Sequence, residues 1–211
     1  MAGSSLSQAS MKLALVKFSK ELKKNKIEHF IFFGTLLGLI RDGEPILGDD
    51  DVDFYVNKIH YNKIRNLLTS LGYKLDYSRG PNHTEHFIQL NGHLNNMQIR
   101  VDFYFYDSNT DENFLLESWN FRGRPDDKNN IIKVPKPLVF PLRVKSFEGT
   151  ELFIPQYPEI VCEFLYGKNW SYPKKKETEY IVTIVGGRPL IIQNKLNFGR
   201  IFSKLVIKFT N

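Results

Sequence analysis

Aspartates crowd one short segment of this chain and could bind a divalent cation. Asp49, Asp50 and Asp51 are consecutive and Asp53 follows one residue later, in a protein whose formal net charge is +6. Asp51 and Asp53 fall on one face of a predicted strand, because successive strand side chains point to opposite faces. Two carboxylates about 5 Å apart repel by roughly 3 kcal/mol at an effective dielectric constant near 20. A fold retains such a pair when solvent, a proton or a cation relieves the repulsion, and Mg²⁺ prefers carboxylate oxygens.

A second predicted strand carries another aspartate. The odd-numbered residues from Ile99 to Phe105 are apolar, and Asp102 points the opposite way. An aspartate inside so hydrophobic a strand needs a partner. If the two strands are neighbours, Asp51, Asp53 and Asp102 can converge on Mg²⁺ or Mn²⁺. The alternative is that residues 49–53 form a solvated turn rich in aspartate.

A glycine-containing turn lies shortly before the acidic segment and could bind phosphate. Gly34 and Thr35 follow the apolar run 27–33, and Thr35 is a suitable N-cap for a short helix that ends near Ile40. Free backbone N–H groups at such a helix start can bind phosphate, and Gly34 would allow a close approach. Arg41 could direct its charge toward the phosphate, or it could complement the dipole at the helix end.

The alternation of helical and extended patterns predicts an α+β fold, with helices packed on a mixed β-sheet and a small C-terminal helical part. We expect residues 1–11 to be a disordered or artificial tail and residues 12–211 to form a single domain. The predicted helices cover residues 12–24, 35–40, 58–71, 158–166 and 195–209, and the predicted strands cover residues 27–33, 51–56, 73–79, 87–90, 97–106 and a hairpin within 142–154.

Composition excludes several classes of protein. The sequence contains 17 Phe, 10 Tyr and 2 Trp, enough for a large core, so a disordered chain is excluded. Cys162 is the only cysteine, which excludes a disulfide scaffold and indicates a reducing, cytoplasmic compartment. No apolar run approaches the ~20 residues that span a bilayer. The predicted basic helix 195–209 could contact an anionic membrane peripherally, or it could pack as an ordinary surface helix.

Several segments together resemble the LicD/fukutin family of the nucleotidyltransferase fold. The specific part is the run FFGTLLGLIR at residues 32–41 followed by ILGDDDVD at residues 46–53. Residues 101–104 are similar to a later Val-Asp motif of the family, and the resemblance extends over roughly residues 27–175. Gly48 stands where the family usually has a tryptophan.

The resemblance implies a metal-dependent transferase. Members of this family move a phosphorylated group, of the phosphocholine or polyol-phosphate type, from a CDP-activated donor to a hydroxyl of a glycan. The implied partners are thus a CDP-linked donor and a cell-surface glycan or glycolipid acceptor, as in polysaccharide biosynthesis. The implied ligands of Mg²⁺ (or Mn²⁺) are Asp51, Asp53 and Asp102, with Asp102 also a candidate base toward the acceptor hydroxyl.

The resemblance also assigns supporting residues. Gly34 and Thr35 would bind the donor phosphate, and Arg41 could assist them. Asp49 would contact the metal ligands without binding the metal itself, or it would lie on the side where the acceptor binds.

Two other functions remain open from the sequence. The same fold could transfer the nucleotide itself to a small hydroxylated acceptor. The basic charge and the aromatic residues also permit a non-catalytic nucleic-acid-binding protein. The basic residues form no stripe interleaved with aromatics and the predicted site is acidic, so we expect no nucleic-acid partner.

Overall fold

The computed structural model describes residues 6–76, 87–109, 111–117, 133–173, 180–184 and 188–192. The architecture is α+β, as predicted, with helices packed on a mixed β-sheet. The helices are α1 Gln8–Lys24, α2 Phe33–Arg41, α3 Tyr61–Ser70, α4 Lys136–Val139 and α5 Pro158–Tyr166, with a 3₁₀ turn at Lys58–His60. The strands are β1 His29–Ile31, β2 Val52–Asn57, β3 Leu75–Asp76, β4 Phe87–Leu94, β5 Met97–Asp107, β6 Phe114–Glu117, β7 Lys133–Pro135, β8 Arg143–Phe147, β9 Thr150–Ile154, β10 Tyr180–Ile184 and β11 Arg188–Ile192.

The central sheet joins strands that are far apart in sequence. Its order is β1-β2-β5-β4-β3, and β6 links β5 to β7 at one side. Strands β2 and β5 are parallel, and the other neighbours are antiparallel. The parallel register sets Asp53 opposite Asp102. This pairing is the feature of the fold that positions the acidic residues.

Aromatic side chains fill the core around the central strands. Phe54 of β2 stacks on Phe103 of β5, with ring centroids 5.7 Å apart. Phe18 of α1 contacts Phe103 edge-on at 6.2 Å, so α1 covers this face of the sheet. On the opposite face Tyr55 stacks on Phe32 at 4.7 Å. Because β2 is buried on both faces, the side chain of Asp53 is almost completely removed from solvent.

The first helix begins earlier than predicted. Ser7 is its N-cap, and the Ser7 hydroxyl accepts a hydrogen bond from the Ser10 backbone N–H at 3.1 Å. Leu6 is buried, and its N–H donates to the carbonyl of Asp49 at 3.0 Å. Residues 6–11 are therefore not a disordered tail, because Ser7 caps the helix and residues 8–11 belong to it. Residues 1–5 lie outside the described residues.

The second helix also begins earlier than predicted, and Thr35 is not its N-cap. Phe32 holds the N-cap position without a side-chain hydrogen bond. Phe33 begins the helix with a φ of 44°, which is unusual for a bulky residue, and its ring contacts Tyr104 at 4.7 Å. The Thr35 hydroxyl instead accepts a hydrogen bond from the Asp53 backbone N–H at 2.8 Å. A tertiary contact to β2 thus replaces the local cap.

The predicted elements of the later chain are present where the structure describes them. Strands β8 and β9 form a hairpin whose turn residues, Glu148 and Gly149, have φ values of 46° and 67°. Helix α5 has Pro158 in its first turn, as predicted. The predicted helix 195–209, and with it the small C-terminal helical part, lies outside the described residues. Within the described ranges, no helix is both long and apolar enough to cross a bilayer.

Candidate metal centre

Three aspartates meet where β2 and β5 run side by side. Asp53 and Asp102 are register partners in this parallel pair, and Asp51 directly precedes β2. One carboxylate oxygen from each of the three lies within 4.8 Å of the others. Asp53 is 5% exposed and Asp102 is 2% exposed, so both carboxylates are almost completely removed from water. The structure thus brings together the aspartates that the sequence singled out, and their role as metal ligands stays a prediction.

The neighbouring aspartates extend the cluster toward solvent. Carboxylate oxygens of Asp49, Asp50 and Asp51 also lie within 4.8 Å of one another. A Cβ added at Gly34 would lie 3.0 Å from Oδ2 of Asp49 and 3.4 Å from Oδ2 of Asp53. The missing side chain of Gly34 therefore leaves room for these two carboxylates. An anion approaching Gly34 from this side would meet negative charge, which a cation would have to neutralise.

Burial and mutual repulsion disfavour the ionised form of these aspartates. Burial, followed by the charges of Asp102, Asp49 and Asp50, raises the pKa of Asp51 to about 8, while Arg100 acts in the opposite direction. Burial, followed by repulsion from Asp51, Asp102 and Asp49, raises the pKa of Asp53 well above its usual value. Near neutral pH the cluster therefore retains protons unless a cation replaces them.

The donor set fits a hard divalent cation. All three residues offer carboxylate oxygens, which suit Mg²⁺ and Mn²⁺ better than softer metals. Three converging oxygens would leave further coordination positions for water or phosphate. The acidic cluster could therefore bind a metal, and such an ion would remove the repulsion that the fold otherwise has to tolerate.

The residues predicted to contact donor phosphate have distinct surroundings. The N–H of Thr35 donates to Oδ2 of Asp53 at 3.3 Å, and the Thr35 hydroxyl accepts from the N–H of Asp53. The hydroxyl hydrogen of Thr35 can still be donated to a ligand. Arg41 donates to the carboxylate of Asp42 from Nε at 2.9 Å and from Nη2 at 2.6 Å. These contacts match the role of Arg41 at the end of α2, and phosphate binding by Gly34, Thr35 and Arg41 stays a prediction.

Sequence reasoning missed one residue of the site. Gln89 of β4 is the register partner of Asp102, and its Nε2 donates to Oδ1 of Asp102 at 2.8 Å. Gln89 is 2% exposed. The sequence held a signal for it, because Gln89 interrupts the apolar run from Phe87 to Leu90 in the same way that Asp102 interrupts its own strand.

A mixed sheet that brings aspartates together from two neighbouring parallel strands is an architecture suited to metal-dependent transfer chemistry. Residues 26–157, more than half of the chain, match the nucleotidyltransferase domain LicD/FKTN/FKRP, and the chain belongs to this family. The resemblance stated from the sequence motifs is confirmed by this match. Family membership supports a transferase activity that uses a nucleotide-type donor and a hydroxylated acceptor.

Solved structures show a looser similarity. The lincosamide antibiotic adenylyltransferase LnuA in its lincomycin-bound form is 12% identical with a TM-score of 0.49, over 72% of this chain and 82% of that one. An antigenic nucleotidyltransferase-like protein from Paracoccidioides brasiliensis is 15% identical with a TM-score of 0.45, over 72% of this chain and 62% of that one. The comparison with curated proteins finds no significant match. The family assignment depends on the sequence match to the domain.

Proposed function

We propose that the chain is a metal-dependent transferase that moves a phosphorylated group from a CDP-activated donor to a hydroxyl of a cell-surface glycan. The group would be of the phosphocholine or polyol-phosphate type. The observation that carries the proposal is the approach of Asp51, Asp53 and Asp102 to within 4.8 Å of one another, in a chain of the LicD/FKTN/FKRP family.

The three aspartates would share the chemistry. Asp51, Asp53 and Asp102 would hold Mg²⁺ or Mn²⁺, which when bound would supply positive charge against the diphosphate of the donor. Asp102 would also accept the proton of the acceptor hydroxyl. The hydroxyl oxygen forms a new bond to the outer phosphorus, the bond from that phosphorus to the bridging oxygen breaks, and CMP leaves with the electron pair. The proton passes from Asp102 to water after the transfer.

The start of α2 would bind the donor phosphates. Two hydrogen bonds to Asp53 fix the backbone and the hydroxyl oxygen of Thr35 beside the cluster, and the hydroxyl hydrogen is left to be donated to a phosphate. Gly34 lies next to the carboxylate of Asp49, so the donor would bind here together with the cation. Arg41 would have to leave Asp42 to reach a phosphate, which makes it the weakest of the three proposed contacts.

The product of the reaction tests the proposal. The chain is incubated with Mg²⁺, a panel of CDP-linked alcohols and a glycan acceptor, with labelled CTP in a parallel reaction. The proposal expects free CMP and a phosphorylated group on the glycan. Nucleotide attached to a small acceptor would instead establish the alternative reaction, and salt-sensitive binding of RNA or DNA without either reaction would contradict both.

A peripheral membrane contact stays a prediction, because residues 195–209 lie outside the described residues. Such a contact would bring the site close to a lipid-linked acceptor. Sedimentation with anionic liposomes, using the chain with and without residues 195–211, decides the point. Equal sedimentation of the two forms would remove the membrane contact from the proposal.

A further inference from the structure

A series of side-chain hydrogen bonds connects Asp102 to the edge of the acidic cluster. Nε2 of Gln89 donates to Oδ1 of Asp102 at 2.8 Å, and Nδ2 of Asn91 donates to Oε1 of Gln89 at 3.2 Å. Nε of Arg100 donates to Oδ1 of Asn91 at 3.0 Å, and Nη1 of Arg100 donates to Oδ2 of Asp50 at 2.8 Å. We call the three connecting residues, Gln89, Asn91 and Arg100, the amide relay.

The backbone register supports this arrangement. In the antiparallel pair of β4 and β5, Gln89 lies opposite Asp102 and Asn91 lies opposite Arg100. The relay residues on β4 are two positions apart and therefore point to the same face of the sheet. The strands thus set the spacing of the relay residues. What remains to be determined is the direction of each side-chain amide, that is, which end, the oxygen or the NH₂ group, faces each neighbour.

Arg100 determines those directions. A guanidinium group can only donate, so Asn91 must present its oxygen to Arg100 and its NH₂ group to Gln89. Gln89 then receives this hydrogen bond on its own oxygen and presents its NH₂ group to Asp102. The ionised carboxylate at the far end can only accept, so both ends of the relay require the same polarity. The Gln89 NH₂ group therefore faces Asp102 because the guanidinium of Arg100, two residues before Asp102 on β5, sets the direction of the whole relay.

The hydrogen bond between Gln89 and Asp102 is shielded from solvent. Gln89 and Asp102 are each 2% exposed, so water does not compete for this hydrogen bond. Holding Oδ1 of Asp102 fixes the rotation of the carboxylate, and the remaining lone pairs of Asp102 can still accept from or coordinate a ligand.

We propose that Gln89 and Asn91, oriented by Arg100, are positioning residues that fix the carboxylate of Asp102 toward a divalent cation. The proposal rests on the metal site of the proposed function but not on the identity of the donor or the acceptor. Hydrogen-bond partners of metal-ligating residues typically change metal affinity by about 10- to 100-fold when they are mutated.

The dissociation constant of Mn²⁺, measured by calorimetry on the full chain, tests the relay without any assay of activity. Gln89→Leu removes the donor at Asp102 and should weaken Mn²⁺ binding by about 10- to 100-fold. The control is Gln98→Leu, an exposed glutamine on β5, which should bind Mn²⁺ like the unmodified chain. Equal affinity of Gln89→Leu and Gln98→Leu would overturn the proposal.

Asn91→Asp separates the relay from simple electrostatics and from folding. Asn91 is exposed, so the substitution should not affect the stability of the core. The new carboxylate can only accept, so Gln89 must turn its NH₂ group toward it and its oxygen toward Asp102. The relay predicts weaker Mn²⁺ binding, whereas an added negative charge alone would strengthen it. Unchanged or tighter binding would therefore contradict the relay.

The same measurement distinguishes the two proposals. Absence of Mn²⁺ binding by the unmodified chain would remove the metal site of the proposed function together with the relay that serves it. Binding that is weakened in the variants, in a chain that transfers nothing from any CDP-linked donor, would leave the relay standing and overturn only the proposed reaction.

Discussion

The buried aspartates work against the stability of the chain that carries them. Asp53 is 5% exposed and lies near the carboxylates of Asp51, Asp102 and Asp49, so burial and repulsion together raise its pKa. Strongly shifted pKa values of this kind cluster at functional sites, where a ligand supplies the missing charge. Removing one of these charges should therefore stabilise the folded chain in the absence of metal and impair metal binding.

Asp53→Asn tests this expectation. The asparagine oxygen can still accept the hydrogen bond from the Thr35 N–H, so the local structure should be kept. We expect metal-dependent turnover to be lost while the Tm without metal stays equal or rises by a few degrees. Asp51→Asn should behave in the same way. Turnover assays and thermal melts of both variants measure the two effects.

The control for these variants is Asp111→Asn, whose carboxylate accepts from backbone N–H groups of Asn113 and Phe114 outside the cluster. It should keep its metal-dependent turnover. Full activity in either Asp51→Asn or Asp53→Asn would contradict the assignment of these residues as metal ligands.

The sequence predicted the acidic residues of the site but not the residues that support them. Strand alternation placed Asp51 and Asp53 on one face, and the apolar surroundings of Asp102 marked it as unusual. Gln89 and Asn91 act through partners on a neighbouring strand. Their contacts depend on the register of β4 and β5, which single-strand patterns do not contain.

At the scale of elements, the parallel pairing of β2 and β5 assembles the site. The chain between them builds α3, β3 and β4 before it returns, so local patterns could not reveal that the two strands are neighbours. Elements with local signals were easier to predict. The turn at Glu148-Gly149 and the proline in the first turn of α5 lie where the sequence indicated. Thr35 was misassigned because its hydroxyl bonds to β2 rather than to its own helix.

Close packing of α2 against the loop before the acidic cluster can be tested at Gly38. A Cβ added there would lie 2.6 Å from the carbonyl oxygen of Glu44 and 2.9 Å from the backbone N of Ile46. Such overpacking costs about 1–3 kcal/mol. We expect Gly38→Ala to lower the Tm by roughly 5 °C, at ~2–4 °C per kcal/mol for a chain of this size. It should also weaken Mn²⁺ binding, because the displaced loop leads directly to Asp49.

The sign of this effect makes the test decisive. In a helix interior without close neighbours, replacement of glycine by alanine stabilises by about 0.5–1 kcal/mol. A Tm that rises in Gly38→Ala would therefore contradict the close approach of α2 and the loop.

At the scale of the whole molecule, a buried histidine should make stability depend on pH. His29 is 2% exposed, and its ring lies against Phe54 and Phe153 at 5.8 Å and 5.5 Å. Burial lowers the pKa of His29 from 6.5 to about 4, although the bond between Nδ1 and the carbonyl of Ile27 acts in the opposite direction. Between these values the unfolded chain binds the proton and the folded chain does not. Stability is therefore lost as the pH falls from 6.5 toward 4.

His29→Phe measures this contribution. The full effect is on the order of 3 kcal/mol, at ~1.4 kcal/mol for each unit of pKa difference. The free energy of unfolding, measured with denaturant at pH 7 and pH 4.5, should fall less in His29→Phe than in the unmodified chain. An identical pH dependence in His29→Phe would show that His29 is not buried.

The charge distribution of the molecule also favours a bound cation. The chain has a net charge of +6, yet it gathers five aspartates within and around the β2–β5 pair. A divalent ion that binds only the folded chain should raise the Tm, and the rise should follow the logarithm of the ion concentration once this exceeds the dissociation constant.

The most direct test of the shared metal site is anomalous diffraction from crystals soaked in Mn²⁺. We expect a strong anomalous peak bonded to carboxylate oxygens of Asp51, Asp53 and Asp102, and no such peak at this position in crystals of Asp53→Asn. A peak that avoids these three residues, or a structure in which Asp102 lies away from Asp51 and Asp53, would contradict the site.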